Sequence, residues 1–424
     1  MGGLIVWVST AYYAIVNRCG QGRGRAGAGL YPELAVFGIH EGQTAALVDL
    51  VGRQAALLPS FEHATGELRQ RGLELSLKEV HRIATRLGAQ ALTRRQRDLL
   101  AWRAGQLAAG HELAGKRVAA CIDAGKTRLR RVTRKQKGKG KHKKQRRRFK
   151  ADWRDVKLLT IYEIDEHGDK VPGSRPWVDG TFAGPDEAME LLAFHLHRLG
   201  ASAAQVVVFL ADGAPWIWER LPWVVRRVGL RGPQSVFVLD FWHAVHHVGL
   251  ALAKLGLPAQ EQRRLYRKFR KRLKEGKAWE LIQELKRLGQ AHKALAALEG
   301  ELSYLERHEH VCHLDYAAFL RRGLPIGSGA VESAIRRVIN LRLKGPGRMW
   351  ERENAEGMVL LRAAALTGRW EELLDRVWES VAKDRRIDWQ WTSPDMRAEL
   401  KAEIPIGPPV PQVQAPQHPA RKPA

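Results

Sequence analysis

The apolar pattern changes period along the chain, and each change predicts an element. Val206–Leu210 is an unbroken apolar run, VVVFL, that leads into ADGAPWIW. Such a run bounded by a glycine turn reads as a strand buried on both faces, and Pro215 suits the first position of a following helix. Asp212 therefore stands at a strand exit, where ligands collect in open α/β sheets. SVFVLD (235–240) ends in Asp240 in the same way, and RVAACIDAG (117–125) reads as a strand ending in Asp123. With RLRRV and DVKLLTIYEID (155–165), residues 117–165 read as three antiparallel strands. Their second connection is the basic run KQKGKGKHKKQRRRFK (135–150).

Elsewhere the period is helical. PSFEHATGELRQRG (59–72) and SLKEVHRIATRLG (76–88) predict two helices, the second opened by a capping box of Ser76 and Glu79. Leu77, Val80, Ile83, Ala84 and Leu87 make its inner face, and Lys78, Arg82 and Arg86 make a basic outer stripe. That is the outline of a helix-turn-helix, whose second helix would enter a major groove. Residues 184–200 and 215–228 predict further helices. So do 244–320 almost throughout, the stretch from 324 to 350 after its glycine- and serine-rich start, and 354–368.

The element order (three strands, helix, strand, helix, strand) predicts an α/β fold, a mixed sheet with helices on both faces. It divides the chain into a flexible segment at 1–30, a helical DNA-binding region at 31–112, a sheet domain at 113–243 and 325–390, a helical insertion at 244–324, and a proline-rich tail at 391–424.

Composition narrows the partner. Lys and Arg number 71 against 45 acids, a net charge of +26 that calls for a polyanion. Nucleic acid fits, as would a ribosome or an anionic membrane surface. The basic run, with Arg146 and Arg147, reads as a phosphate-binding arm. Cys19, Cys121 and Cys312 are far apart, which argues against a disulfide framework or a four-cysteine zinc site and for a cytoplasmic location. LIVWVSTAYYAIV near the start is too short to span a bilayer and lacks a preceding basic region, so no membrane association is expected.

Three acids stand out by context: Asp123, Asp212 and Glu332. If strands one and four lie side by side, Asp123 and Asp212 meet, and Glu332 would face them from a helix beyond the insertion. Carboxylates packed closely repel unless divalent cations neutralise them. Oxygen ligands with open positions suit two Mg²⁺ or Mn²⁺ ions, which can activate a nucleophile and stabilise the leaving oxygen of a phosphoryl transfer. Glu356 competes with Glu332 for the third place. Trp216 and Trp218 read as core packing more than as base-stacking groups. His308, His310, Cys312 and His313 crowd together without a second ligand pair at zinc-finger spacing, and His246 and His247 read as helix-surface or DNA-facing groups.

Taken together, CIDAG, LADGAPWIW, DFWHAVHH and GSGAVESAIRRVINLRLKGPGRMW resemble the DDE transposases of bacterial insertion sequences, in the ribonuclease-H-like superfamily. The likeness is greatest to the Mutator-like branch, where a helical insertion separates the second Asp from the Glu, and it covers roughly 31–390. It implies a ribonuclease-H-like catalytic domain with Asp123, Asp212 and Glu332 holding the metals. It also implies Asp240 and His243 as supporting residues, matching an Asp-x-x-His pattern. Arg336, with Arg337 beside it, and Lys344 at the GPG turn would then meet DNA phosphates. The implied activity is cleavage at the terminal inverted repeats of an element and strand transfer into target DNA by a dimer or higher oligomer. The alternatives are a nuclease without strand transfer and an inactive DNA-binding remnant.

Overall fold

The computed structural model describes residues 13–14, 29–30, 34, 39–40, 42–134 and 148–384. Arg146, Arg147, the proline-rich tail and most of the N-terminal segment lie outside them. The chain divides into a unit at Met1–Ser380 and a second at Val381–Ala424; the sheet and its helices belong to the first.

After short ladders before residue 45, three helices form: α1 (Ala45–Leu57), α2 (Phe61–Gln70) and α3 (Leu77–Arg103). The Ser76–Glu79 capping box is present, with the Glu79 amide 3.2 Å from Ser76 Oγ and the Ser76 amide 2.9 Å from Glu79 Oε2. Val80, Ile83, Ala84 and Leu87 are buried as the pattern predicts, whereas Leu77 is exposed. The expected helix end at Gly88 is overturned, because α3 runs on to Arg103. Gly88 is a contact point instead: a Cβ there would lie 3.2 Å from the Gly357 backbone, so two helices touch where neither has a side chain.

Five strands make one sheet: β1 (Arg117–Arg134), β2 (Arg148–Glu163), β3 (Trp177–Thr181), β4 (Val206–Ala211) and β5 (Ser235–Leu239). Their order across the sheet is β3-β2-β1-β4-β5. β1 is antiparallel to β2 and parallel to β4, and β4 is parallel to β5. The element order thus holds, but two of the first three strands differ from the pattern reading. RLRRV is no separate strand, because it continues β1 and pairs with the start of β2. The basic run therefore lies between β1 and β2 except for its last three residues, Arg148 to Lys150, which open β2, and the third strand is WVDGT, every residue of it buried.

Helices cover both faces. On one, α4 (Pro185–Arg198), α5 (Pro215–Trp218) and α6 (Leu221–Val228) pack on Val118, Ala120, Ile122, Val207 and Phe209. The other, formed by Ala119, Cys121, Val208 and Leu210, carries the insertion. The insertion is α7 (Phe241–Ala253), α8 (Ala259–Lys274), α9 (Ala278–Ala291), α10 (Leu295–His310) and α11 (Tyr316–Arg321), with no strand among its residues, as the sequence predicts.

Beyond it come α12 (Gly329–Ala334), a π-helical stretch (Ile335–Asn340), α13 (Arg352–Leu366) and α14 (Trp370–Asp384). Buried Arg342 and Arg362 reach back to the last carbonyls of α1: Arg342 Nε is 3.2 Å from Ala55 O, and an Arg362 Nη is 3.0 Å from Leu57 O. These bonds satisfy helix-end acceptors and join the N-terminal helices to the segment that follows Glu332. No helix of the described residues is long and apolar enough to cross a membrane.

Candidate functional site

The parallel pairing of β1 with β4 sets the site. Cys121 stands opposite Leu210, so Asp123 and Asp212, each two residues further on, come to neighbouring places at the carboxyl end of β4. Asp212 lies just past its strand, as expected, with its Oδ1 accepting the Ala214 amide at 3.1 Å and its carbonyl accepting Trp218 Nε1 at 2.6 Å. Asp123 is not at a strand end, because β1 continues eleven residues further, to Arg134. Both carboxylates are half-buried.

Asp240 is fully buried and caps the first turn of α7. Its Oδ1 accepts the His243 amide at 2.8 Å and lies 3.0 Å from His243 Nδ1, while its Oδ2 accepts the Ser328 amide at 2.5 Å. One carboxylate therefore fastens the end of β5, the start of α7 and the residue before α12. The Phe241 amide adds a bond of 2.8 Å to the Ile326 carbonyl. Glu332 reaches the site through these fastenings. Its Oε1 lies 3.4 Å from Ser328 Oγ, and ligand atoms of Asp240, His243 and Glu332 all lie within 4.8 Å of one another.

That trio is the one group among the described residues whose ligand atoms lie close enough to hold a metal ion, and it differs from the triad the sequence singles out. The two sets meet electrostatically. Burial raises the Asp123 pKa, the Ala124 amide opposes this, and the negative charges of Asp212 and Glu332 raise it further. The His243 pKa is raised by its bond to Asp240, against the effect of burial, and by the charges of Asp240, Asp212 and Asp123. Burial pushes Asp240 up, but its bonds from His243 and Ser328 outweigh that and hold it ionised. With its oxygens already accepting three hydrogen bonds, Asp240 is suited to positioning. Asp123, Asp212 and Glu332 keep open oxygens, and a cation among them would relieve their repulsion.

Glu356, the competitor for the third place, lies elsewhere. It accepts Thr181 Oγ1 at 2.9 Å and the Phe182 amide at 3.2 Å and pairs with Arg95. Arg336 and Arg337 are exposed, and the helix turns π-helical from Ile335, so the α-helical spacing that would put Arg336 on the Glu332 face does not carry over unchanged. Lys344 is exposed, 5.8 Å from the Trp153 ring centre. Lys78 and Arg82 are exposed on α3, while Arg86 is half-buried against Gln43. Trp216 and Trp218 are partly buried against the core. Of the histidine cluster only His308 and His313 meet, their Nδ1 atoms 3.1 Å apart, and burial lowers their pKa values to about 3 and about 4. His310 and Cys312 are exposed, so the four do not form one ligand set.

Pattern reading overlooked Tyr304. Its ring, stacked on His247 at 3.6 Å, packs against the turn after Asp212: a Cβ on Gly213 would lie 1.9 Å from Tyr304 Cε2. The helical insertion thus shapes the loop that presents the carboxylate. Gly213→Ala should displace this turn and destabilise the fold by about 1–3 kcal/mol. Gly213→Ala with Tyr304→Leu should recover part of that stability, measured by urea unfolding; no recovery would mean that the ring does not set the turn.

Comparison with protein-family models, curated proteins and solved structures returns no match to this chain.

Proposed function

We propose that the chain is a DDE-type DNA transposase with a ribonuclease-H-like catalytic domain, Asp123, Asp212 and Glu332 forming its metal-binding set. The observation that carries this reading is the β1–β4 register, which brings two distant acids together on the side where Asp240 fastens the Glu332 segment. Mg²⁺ or Mn²⁺ held there would supply charge neutralisation and an activated oxygen nucleophile for phosphodiester cleavage. The chain's own residues do the rest. Asp240 orients His243 and anchors Ser328, and the charge of +26 favours a polyanionic substrate. The sheet order with antiparallel β3-β2-β1 followed by parallel β4 and β5 is compatible with a ribonuclease-H-like domain, and the helical insertion fits the Mutator-like pattern.

The test supplies DNA carrying the inverted repeats that flank the coding region, a supercoiled target and Mg²⁺ or Mn²⁺. Transposition predicts nicking at the repeat ends and a joined product. Cleavage without joining would replace the reading with a nuclease, and binding without cleavage would leave a DNA-binding remnant.

A further inference from the structure

The β1–β2 hairpin extends well beyond the candidate site and carries a groove of about 530 Å³. Arg130, Arg131, Arg154, Lys157 and Arg352 line it, against two acids, Asp152 and Asp155. Asp152 lies 3.8 Å from Arg131 and 3.7 Å from Arg154, so it offsets only part of that charge. Trp153 stands in the lining 53% exposed, and Phe149 is 44% exposed on the same hairpin. Arg128 and Lys344 lie 5.5 and 5.8 Å from the Trp153 ring centre, and Arg130 lies 5.1 Å from that of Phe149. At one end is Lys157, which pairs with Ala124 and lies 5.9 Å from the Trp216 ring centre, on the face of the sheet covered by α4 to α6.

We propose that this groove binds single-stranded DNA, one unpaired base stacking on Trp153 while the arginines hold the flanking phosphates. A ring with cations on its margin fits a polymer that alternates flat aromatic groups with anions. In a duplex the base faces are already stacked, so an indole has only edges and phosphates to meet. An acidic peptide would use the arginines and leave the exposed ring uncovered. The inference rests on the DNA-processing reading for the identity of the polymer, and its test involves neither cleavage nor metal.

The full-length chain is titrated into fluorescently labelled oligo(dT), and separately into a duplex of the same length, in EDTA. Trp153→Ala should weaken single-strand binding on the order of ten-fold, change duplex binding by less than about two-fold, and leave the salt dependence unaltered, because no charge is lost. Trp153→Phe should retain most of the affinity, and circular dichroism checks the fold of both variants. Arg131→Gln with Arg154→Gln should weaken both substrates and flatten the salt dependence. Equal effects of Trp153→Ala on the two DNA forms, or none on either, would overturn the proposal. So would competition by polyglutamate as effective as by oligo(dT), or tighter binding of oligo(U) than of oligo(dT). If Asp212→Asn cleaves normally while Trp153→Ala behaves as expected, the metal site is wrongly assigned and the groove stands.

Discussion

On the proposed transposase reading, Asp212→Asn should abolish metal-dependent strand cleavage while leaving the fold and DNA binding intact. The substitution keeps the Oδ1 that accepts the Ala214 amide at 3.1 Å, so the turn after β4 is preserved and only the charge is lost. A carboxylate that helps hold a catalytic cation contributes several kcal/mol to stabilising a phosphoryl-transfer transition state. Its loss should lower the rate by about three orders of magnitude or more. Stability should move the other way. Asp123 sits among acids that raise its pKa, and neutralising Asp212 removes one of them. The metal-free variant should therefore melt at or slightly above the wild-type temperature, and added Mn²⁺ should raise its melting temperature less than that of the wild type. Single-turnover cleavage and thermal melts with and without Mn²⁺ read both. Wild-type cleavage by Asp212→Asn would remove Asp212 from the site, and an unchanged Mn²⁺ response would remove it from the ligand set.

How far this site was legible from the chain depends on which interactions are local. VVVFL predicts β4, Asp212 follows it, and Ser76 with Glu79 predicts the start of α3, because a strand exit and a helix cap are decided within a few residues. The β1–β4 adjacency follows from element order. Features set across the fold were not readable. Gly88 reads as a helix stop, yet it lies against Gly357, and only a packed helix pair reveals that. RLRRV reads as a separate strand after CIDAG, whereas pairing with β2 carries it along as part of β1. WVDGT was missed because it is short and contains an aspartate, whose burial depends on Arg95 and His195 from other elements. Tyr304 stands in an ordinary helical stretch inside the insertion, and its contact with Gly213 joins residues 91 positions apart.

The same buried aspartate supports a second large effect. Asp179 accepts Arg95 at 2.9 Å and His195 Nε2 at 2.8 Å, and Arg95 also pairs with Glu356, so one cation holds two carboxylates where α3, β3, α4 and α13 meet. Burial alone would raise the Asp179 pKa, but the Arg95 charge and the His195 bond outweigh it and hold it at about 2. Burial lowers His195 to about 4, so the ring is neutral at pH 7 and donates to Asp179. Arg95→Ala leaves buried Asp179 and half-buried Glu356 without the cation they share and should destabilise the fold by about 3–5 kcal/mol in urea unfolding at pH 7. The pH dependence separates a lost ion pair from lost packing. In the wild type the unfolded chain takes up a proton on His195 that the folded chain refuses between the ordinary pKa of 6.5 and about 4. Asp179 does the same between 3.8 and about 2. Stability from both therefore falls as pH is lowered through these windows. In Arg95→Ala the Asp179 pKa should rise above its ordinary value, so acid relieves the buried charge. The gap between variant and wild type should thus narrow from pH 7 to pH 4. A gap that stays constant would assign the loss to the missing side-chain volume and not to the charge that Arg95 supplies.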